Sequence, residues 1–211
     1  AEAAHGRSVK LDAASPSGIY NGALVDRDLC RDDVAMKKYD QALEIDPDYV
    51  DCHWDRSLLL LRNGNLEEGF PEYEWRWRLS NNPPRGFKQP LWDGSDLTGK
   101  TILLHQEQGF GDMIQFARYV PLVKEKGGTV LIECQPELLR LFETLEGVDL
   151  VVSSDAPLPD FDVAAPIITL AKIFGTTLES IPNTVPYVRA PEQQNFVLSP
   201  HSGTVSVGIC W

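Results

Sequence analysis

The chain lacks an apolar run long enough to cross a bilayer. Its longest unbroken run, Leu58 to Leu61, spans four residues, against the roughly 20 that a membrane helix needs. No charged, then apolar, then small-residue leader of the secretory kind is visible. The four histidines (His5, His53, His105, His201) form no HxxxH or HExxH pair, and the four cysteines (Cys30, Cys52, Cys134, Cys210) form no CxxC. That spacing excludes the usual structural and catalytic metal sites. The cysteines read as buried, reduced thiols of a cytoplasmic protein. Basic residues are scarce as well: 19 Lys+Arg face 31 Asp+Glu, a formal charge of −12. The deficit is spread over both halves of the chain, leaving no basic stripe for nucleic acid or an anionic membrane surface.

What is present fills 211 residues, 43% of them hydrophobic, enough for two modest domains. The first part repeats itself. At an offset of 34, Ala23 falls on Ser57, Ala35 on Gly69 and Tyr39 on Tyr73, and one unit earlier Leu11-Asp12 falls on Ile45-Asp46. The segment from Ala35 through Tyr39 and Ala42 to Pro47 resembles the second helix and exit turn of a tetratricopeptide repeat. Small residues at 23, 35 and 42 let two helices approach closely, and Tyr39 fills the gap between them. This predicts a trailing helix over about 1–12 and helix pairs over about 17–46 and 49–79, with Pro71 kinking the last helix. A solenoid needs roughly three repeats to close a core, and the chain opens at Ala1 without an initiator Met, so further repeats are expected upstream. The run Glu72-Tyr-Glu-Trp-Arg-Trp-Arg78 alternates like a strand, but the repeat register makes it helical. Its aromatics suit either a ligand platform or a capping helix that packs Tyr73 and Trp77 against the next domain.

Ser80-Asn-Asn-Pro-Pro-Arg-Gly86 breaks the pattern. Beyond it, strands are expected at Thr101–His105, Thr129–Glu133, Asp149–Val152 and Phe161–Ala164. Helices are expected at Met113–Lys126, Pro136–Leu145 and Ile168–Phe174. Strands alternating with helices indicate a parallel, doubly wound sheet, in which Ile114, Ala117, Val120 and Val123 face the strands and Pro121 bends their helix. The last stretch, Thr204–Trp211, reads as the first strand of a second α/β domain. The expected division is 1–79 helical repeats, 80–98 linker, 99–190 a Rossmann-like α/β domain, and 191–211 a linker with that fresh strand.

The glycine-rich turn Gly109-Phe110-Gly111-Asp112 joins the first strand to the first helix. Such a turn is a ready anion site: N–H groups point outward, the helix dipole favours negative charge, and glycines admit a close ligand. Asp112 suits an N-terminal cap, a catalytic carboxylate, or both at once. A dinucleotide fingerprint would need a small residue at 114, where Ile114 stands, although Glu133 sits about where a ribose-binding acid would.

A longer resemblance covers essentially the whole chain. Pro90-Leu-Trp92-Asp-Gly94 and Gly99-Lys-Thr-Ile-Leu-Leu-His-Gln-Glu107-Gln108-Gly-Phe-Gly-Asp112-Met-Ile-Gln115-Phe-Ala-Arg118-Tyr119-Val-Pro121 are similar to the signature of bacterial tetratricopeptide-repeat glycosyltransferase-like proteins. Leu158-Pro-Asp-Phe161-Asp162, Ile181-Pro182 and Pro186-Tyr187 extend the likeness. The resemblance implies a catalytic part like that of heptosyltransferases, the N-terminal half of a glycosyltransferase B fold in which two Rossmann-like domains face a cleft. It implies a nucleotide-sugar substrate, no resident cofactor, and an acceptor saccharide or protein. It also implies Asp112 as general base and Gln108, Gly109, Phe110, Gly111 and Gln115 as substrate contacts. Pro121 stands farther from Asp112 than its heptosyltransferase counterpart does. The histidine bases of protein-modifying transferases have no match in this sequence, and His105 suits a strand-end histidine with a satisfied hydrogen bond. Two rival expectations remain open: a non-catalytic repeat scaffold that binds a protein partner in its groove, and a dinucleotide-dependent oxidoreductase.

Overall fold

The computed structural model describes residues 15–190. The expected helix at 1–12 and the strand at 204–211 lie outside the described residues. Helical hairpins come first, a four-stranded parallel sheet with helices second.

Helix α1 (Pro16–Asp28) starts where Ser15 Oγ accepts from the Gly18 N–H at 3.1 Å and Pro16 occupies the first turn, the position where a missing N–H costs nothing. Helix α2 (Asp32–Ile45) opens on two carboxylates, Asp32 and Asp33, which the positive end of the helix dipole favours. Helices α3 (Val50–Arg62) and α4 (Leu66–Tyr73) repeat the hairpin. Ala23, Ala35, Ala42 and Tyr39 are fully buried at the first crossing. At the equivalent crossing of the second pair, a Cβ on Gly69 would lie 2.7 Å from Leu61 Cδ2, so only glycine allows the approach. Pro71 acts on the last helix: it ends at Tyr73 and continues as the tighter 3₁₀ turn Glu74–Arg78.

The 34-residue offset extends to the helix ends. After α1, the N–H groups of Cys30 and Arg31 bond to the carbonyls of Arg27 and Asp26; after α3, those of Gly64 and Asn65 bond to Leu61 and Leu60. Both ends close with the paired bonds of a Schellman cap, whose central residue must be left-handed. Gly64 takes φ +80° freely, whereas Cys30 is held at φ 56°. Cys30 is also exposed; Cys52 and Cys134 are buried thiols, as expected of them.

The sheet comprises β1 (Thr101–His105), β2 (Thr129–Cys134), β3 (Leu150–Ser153) and β4 (Val163–Pro166), in the order β3-β2-β1-β4, with all pairings parallel. The helix expected over 113–126 starts three residues earlier and is broken into α5 (Phe110–Phe116), a 3₁₀ turn at Ala117–Tyr119 and α6 (Val120–Lys124). Pro121 falls in the first turn of α6, where it is tolerated, and the break precedes it. Ala117, Val120 and Val123 face the sheet fully buried, with Met113 beside them and Ile114 only half-buried. The crossover from β2 to β3 carries only α7 (Leu139–Phe142) after a 3₁₀ turn, and α8 (Thr169–Ile173) follows β4.

These helices cover one sheet face, that of Ile102, Leu104, Val130 and Ile132. Strand side chains alternate, so Leu103, Leu131 and Ala164 face the other way, where Phe87, Leu158 and Phe161 cover them. Right-handed crossovers explain the arrangement. The chain steps outward from β1 to β3 on one face and must return to β4 across the opposite one, and its return segment holds Leu158 and Phe161. The stretch expected as linker joins in: Trp92 and Leu97 are buried, and Trp92 N–H donates to the Ala164 carbonyl at 2.8 Å. Trp54, Leu61, Phe70 and Tyr73 of the repeats pack into the same core as the sheet, so one apolar interior runs through both parts.

Removing the left-handed strain at Cys30 is favourable. Cys30→Gly is expected to stabilise the chain by about 1 kcal/mol, read as a higher urea midpoint at unchanged slope; a lower midpoint would contradict the assignment.

Candidate functional site

In an open parallel sheet, ligands bind beyond the carboxyl ends of the strands, at the point where successive connections diverge. Here that point lies between β1, whose connection runs toward β2, and β4 on its other side. The residues after β1 and β4 meet there. Glu107 Oε1 accepts from the Ile168 N–H at 3.0 Å, and Glu107 Oε2 accepts from Arg76 Nε at 2.8 Å and forms an ion pair with Nη2 at 2.7 Å.

Arg76 arrives from the 3₁₀ turn that ends the repeats and is completely buried. Its Nη1 donates to Glu74 Oε1 at 2.6 Å and to the Tyr73 carbonyl at 3.2 Å, and its Nη2 to Thr169 Oγ1 at 2.8 Å. Two aromatic rings sandwich the guanidinium, Tyr73 at 4.8 Å and Trp77 at 4.4 Å. Burial pushes the Glu107 carboxyl above its ordinary range, and the Arg76 charge opposes that shift. Next along, Gln108 Nε2 donates to Tyr73 Oη at 2.7 Å. The turn leading to the glycines is therefore held at two successive residues by the end of the repeats.

Helix α5 opens at Phe110 with Gly109 as its N-cap. Asp112 reaches back, its Oδ2 accepting from the Gly109 N–H at 3.2 Å, one half of a capping box. Its Oδ1 has no hydrogen bond among the described residues. Neither glycine is demanded by the fold: Gly109 has φ −73°, a Cβ there would meet only Asp112 Oδ2 at 3.8 Å, and a Cβ on Gly111 would meet nothing within 4 Å. Phe110 between them is 46% exposed.

A cavity of about 420 Å³ opens at the carboxyl ends of β1 and β2, with Trp77, Arg85, His105, Gln106, Gln108 and Gln135 in its wall. A second, of about 270 Å³, shares Trp77, Arg85 and His105 and is otherwise lined chiefly by apolar groups such as Phe87, Leu91 and Pro166. His105 is 3% exposed, its Nδ1 lies 3.1 Å from the Gln106 carbonyl, and burial pushes its pKa down to about 4; it is the strand-end histidine with a partner. Gln115 lines a separate hollow of about 140 Å³ with Phe70 and Ile181. The structure thus keeps Gln108, Gly109, Phe110, Gly111 and Asp112 contiguous but does not bring Gln115 into the same cavity as Gln108. Another hollow, about 450 Å³ between Arg118, Tyr187 and Arg189, touches no residue of the glycine turn. Trp77 lines cavities instead of packing into the core as Tyr73 does. Arg76, Arg85, Gln106 and Gln135 went unnoticed in the sequence as site residues, whereas Trp77 stands in the aromatic run that suited either a ligand platform or a capping helix. Arg76, Arg85 and Gln135 lie outside the glycine signature, and the two carboxamides carry no motif of their own.

No family model matches the chain. Protein FlbA of Caulobacter vibrioides is 28% identical over 144 residues, a match covering 64% of this chain and 24% of FlbA. This chain is a distant relative of FlbA. It spans about a quarter of that protein's length. Among solved structures, an O-GlcNAc transferase mutant of Thermobaculum terrenum is similar over part of the chain, with 10% identity and a TM-score of 0.34, covering 71% of this chain and 36% of that one. A score so low transfers no chemistry. Among the described residues, no helix is long and apolar enough to cross a membrane, and no group of three or more His, Cys, Asp or Glu is placed to hold a metal. Glu133, the acid a dinucleotide ribose would require, is 1% exposed and paired with Arg85, which takes away the main support for the oxidoreductase reading.

Two measurements probe these groups. Arg76→Met leaves Glu107 buried with its charge uncompensated and is expected to cost about 3–5 kcal/mol, with part of that regained in Arg76→Met/Glu107→Gln; equal losses in both variants would deny the coupling. His105 has its folded pKa depressed from 6.5 to about 4, so between those values only the unfolded chain takes up its proton. Its contribution is fully present above pH 6.5 and falls by about 1.4 kcal/mol per pH unit below it. Urea midpoints followed from pH 7 to 4.5 should decline more steeply in the wild type than in His105→Gln.

Proposed function

We propose that the chain is the first lobe of a sugar-transfer enzyme that moves a sugar from a nucleotide-sugar donor to an acceptor hydroxyl, with Asp112 as the proton acceptor. Supporting this is the glycine signature from Glu107 to Asp112, which resembles that of tetratricopeptide-repeat glycosyltransferase-like proteins. The observation that carries the reading is that Gly109 and Gly111 are small for no reason internal to the fold. They flank an exposed aromatic beside a carboxylate with one oxygen uncommitted. Small residues that the chain's own packing does not need leave room for something outside it.

In the proposed step the acceptor hydroxyl gives its proton to Asp112 Oδ1 while its oxygen bonds to the anomeric carbon. The bond from that carbon to the nucleoside diphosphate breaks, and its electron pair leaves with the diphosphate. Positive charge builds on the ring as the leaving group departs, so removing the acceptor proton late in the step helps most. Gln108, Gly109, Phe110, Gly111 and Gln115 are the proposed substrate contacts, and the donor is held largely by a second lobe that faces this one. The isolated 211-residue chain is expected to transfer no sugar, and turnover of any nucleotide-sugar by it would contradict this reading.

The second reading, a repeat scaffold without chemistry, is favoured by the capping bond that already occupies Asp112 Oδ2. Two variants of the longer protein separate them. Asp112→Asn retains an oxygen for the cap, so it should lower kcat about 10²–10⁴-fold with the melting temperature unchanged. Gly111→Ala favours the helix by up to about 1 kcal/mol and should lower kcat/KM in spite of that gain. Unaltered transfer in Asp112→Asn would sink the catalytic assignment.

A further inference from the structure

We infer that the cavity at the carboxyl ends of β1 and β2 is a binding site for a neutral sugar ring, built jointly by the end of the repeats, the segment that follows them and the sheet. Naming this ring as part of the acceptor rests on the reading above; the binding chemistry does not.

Charge is the first discriminator. Every charged group in the wall is already neutralised: Arg85 pairs with buried Glu133, Glu107 pairs with Arg76, and burial keeps His105 uncharged at neutral pH. A phosphate or carboxylate entering here finds no free cation, and an amine finds no free carboxylate, so a charged ligand would lose its hydration without a partner.

Hydrogen-bonding capacity is the second. The side-chain oxygens of Gln106 and Gln135 are buried and have no partner. The orientation of Gln135 is set by its own Nε2, which donates to the Gln108 carbonyl at 3.0 Å, so its Oε1 is the atom left over. A buried acceptor without a donor costs on the order of 1–3 kcal/mol, and a hydroxyl that reaches it from the cavity removes that cost. The site therefore asks its occupant for O–H donors.

The third is shape. Trp77 has one face against the Arg76 guanidinium, at 4.4 Å, which fixes the indole as a plate in the wall of both chambers. A pyranose has an apolar C–H face and a rim of hydroxyls, matching a plate with acceptors at its edge. The polar chamber, about 420 Å³, accommodates one ring, and the apolar chamber beyond Arg85, about 270 Å³, suits a small apolar substituent such as a methyl aglycone.

The test uses the full 211-residue chain and methyl α-D-glucopyranoside, methyl β-D-galactopyranoside and methyl N-acetyl-β-D-glucosaminide as probes, with glucuronate and glucosamine as charged counterparts. In heteronuclear NMR at neutral pH, at least one neutral glycoside is expected to shift the Trp77 indole and Gln135 carboxamide signals saturably, with a Kd on the order of millimolar. Charged counterparts of the same ring should bind at least tenfold more weakly. Gln135→Ala and Trp77→Leu should each weaken binding at least tenfold, and Trp77→Phe should keep most of it. No saturable shift with any neutral probe, or equal binding by the charged ones, would overturn the proposal. Binding here in a protein whose longer form transfers no sugar would keep this site and remove the transferase reading, and transfer without binding here would do the reverse.

Discussion

The structure turns on one buried guanidinium. Taking Arg76 out of water is expensive, and the cost is offset only if each of its five N–H groups finds an acceptor. Here Nε, Nη1 and Nη2 are all engaged, in four hydrogen bonds to Glu107, Glu74, Thr169 and the Tyr73 carbonyl, and Nη2 also pairs with Glu107 Oε2 at 2.7 Å. Those acceptors come from three places: the last helical turn of the repeats, the turn after β1 and the start of α8. Shifting the repeats on the sheet would part these donors from Glu107 and Thr169, so the pairing fixes how the two parts sit more than it adds stability. The apolar core shared by Trp54, Phe70, Tyr73 and Phe116 supplies the attraction, and Arg76 supplies the register.

That constraint reaches the site directly. Glu107 and Gln108, both held from the repeat side, are the residues that lead into Gly109 and Asp112. The same 3₁₀ turn that delivers Arg76 places Trp77 in the cavity wall one residue later. A repeat module fused to an α/β lobe could have been a tethered accessory. Here it forms part of the cavity wall at the carboxyl ends of β1 and β2, so changes in the last repeat reshape that cavity.

Much of the fold was legible because its signals are local. The 34-residue offset located the helix pairs, and the offset persists down to matching Schellman caps at Cys30 and Gly64. Strand β1 stood out as an apolar, β-rich run closed by His105. Less was legible where tertiary contact decides. The stretch 80–98 is rich in Pro and Gly and reads as a linker, yet its Trp92 and Leu97 are buried in the core on the helix-covered face of the sheet and its Phe87 covers the other face. The helix expected at 113–126 breaks at 117–119, and the register of the break is set by packing. At the site, Asp112 and the glycines carry a motif and were readable, whereas Gln135 acquires its importance only from the Gln108 carbonyl it meets across 27 residues.

Native-state hydrogen exchange on the full chain tests the central claim, that repeats and sheet are locked into one cooperative unit by Arg76. The account predicts that amides of Val50–Tyr73 and of β1 through α5 exchange through a shared opening in the wild type, and that Arg76→Met splits them into two openings of different free energy. Repeat helices that already open independently of the sheet in the wild type would contradict it.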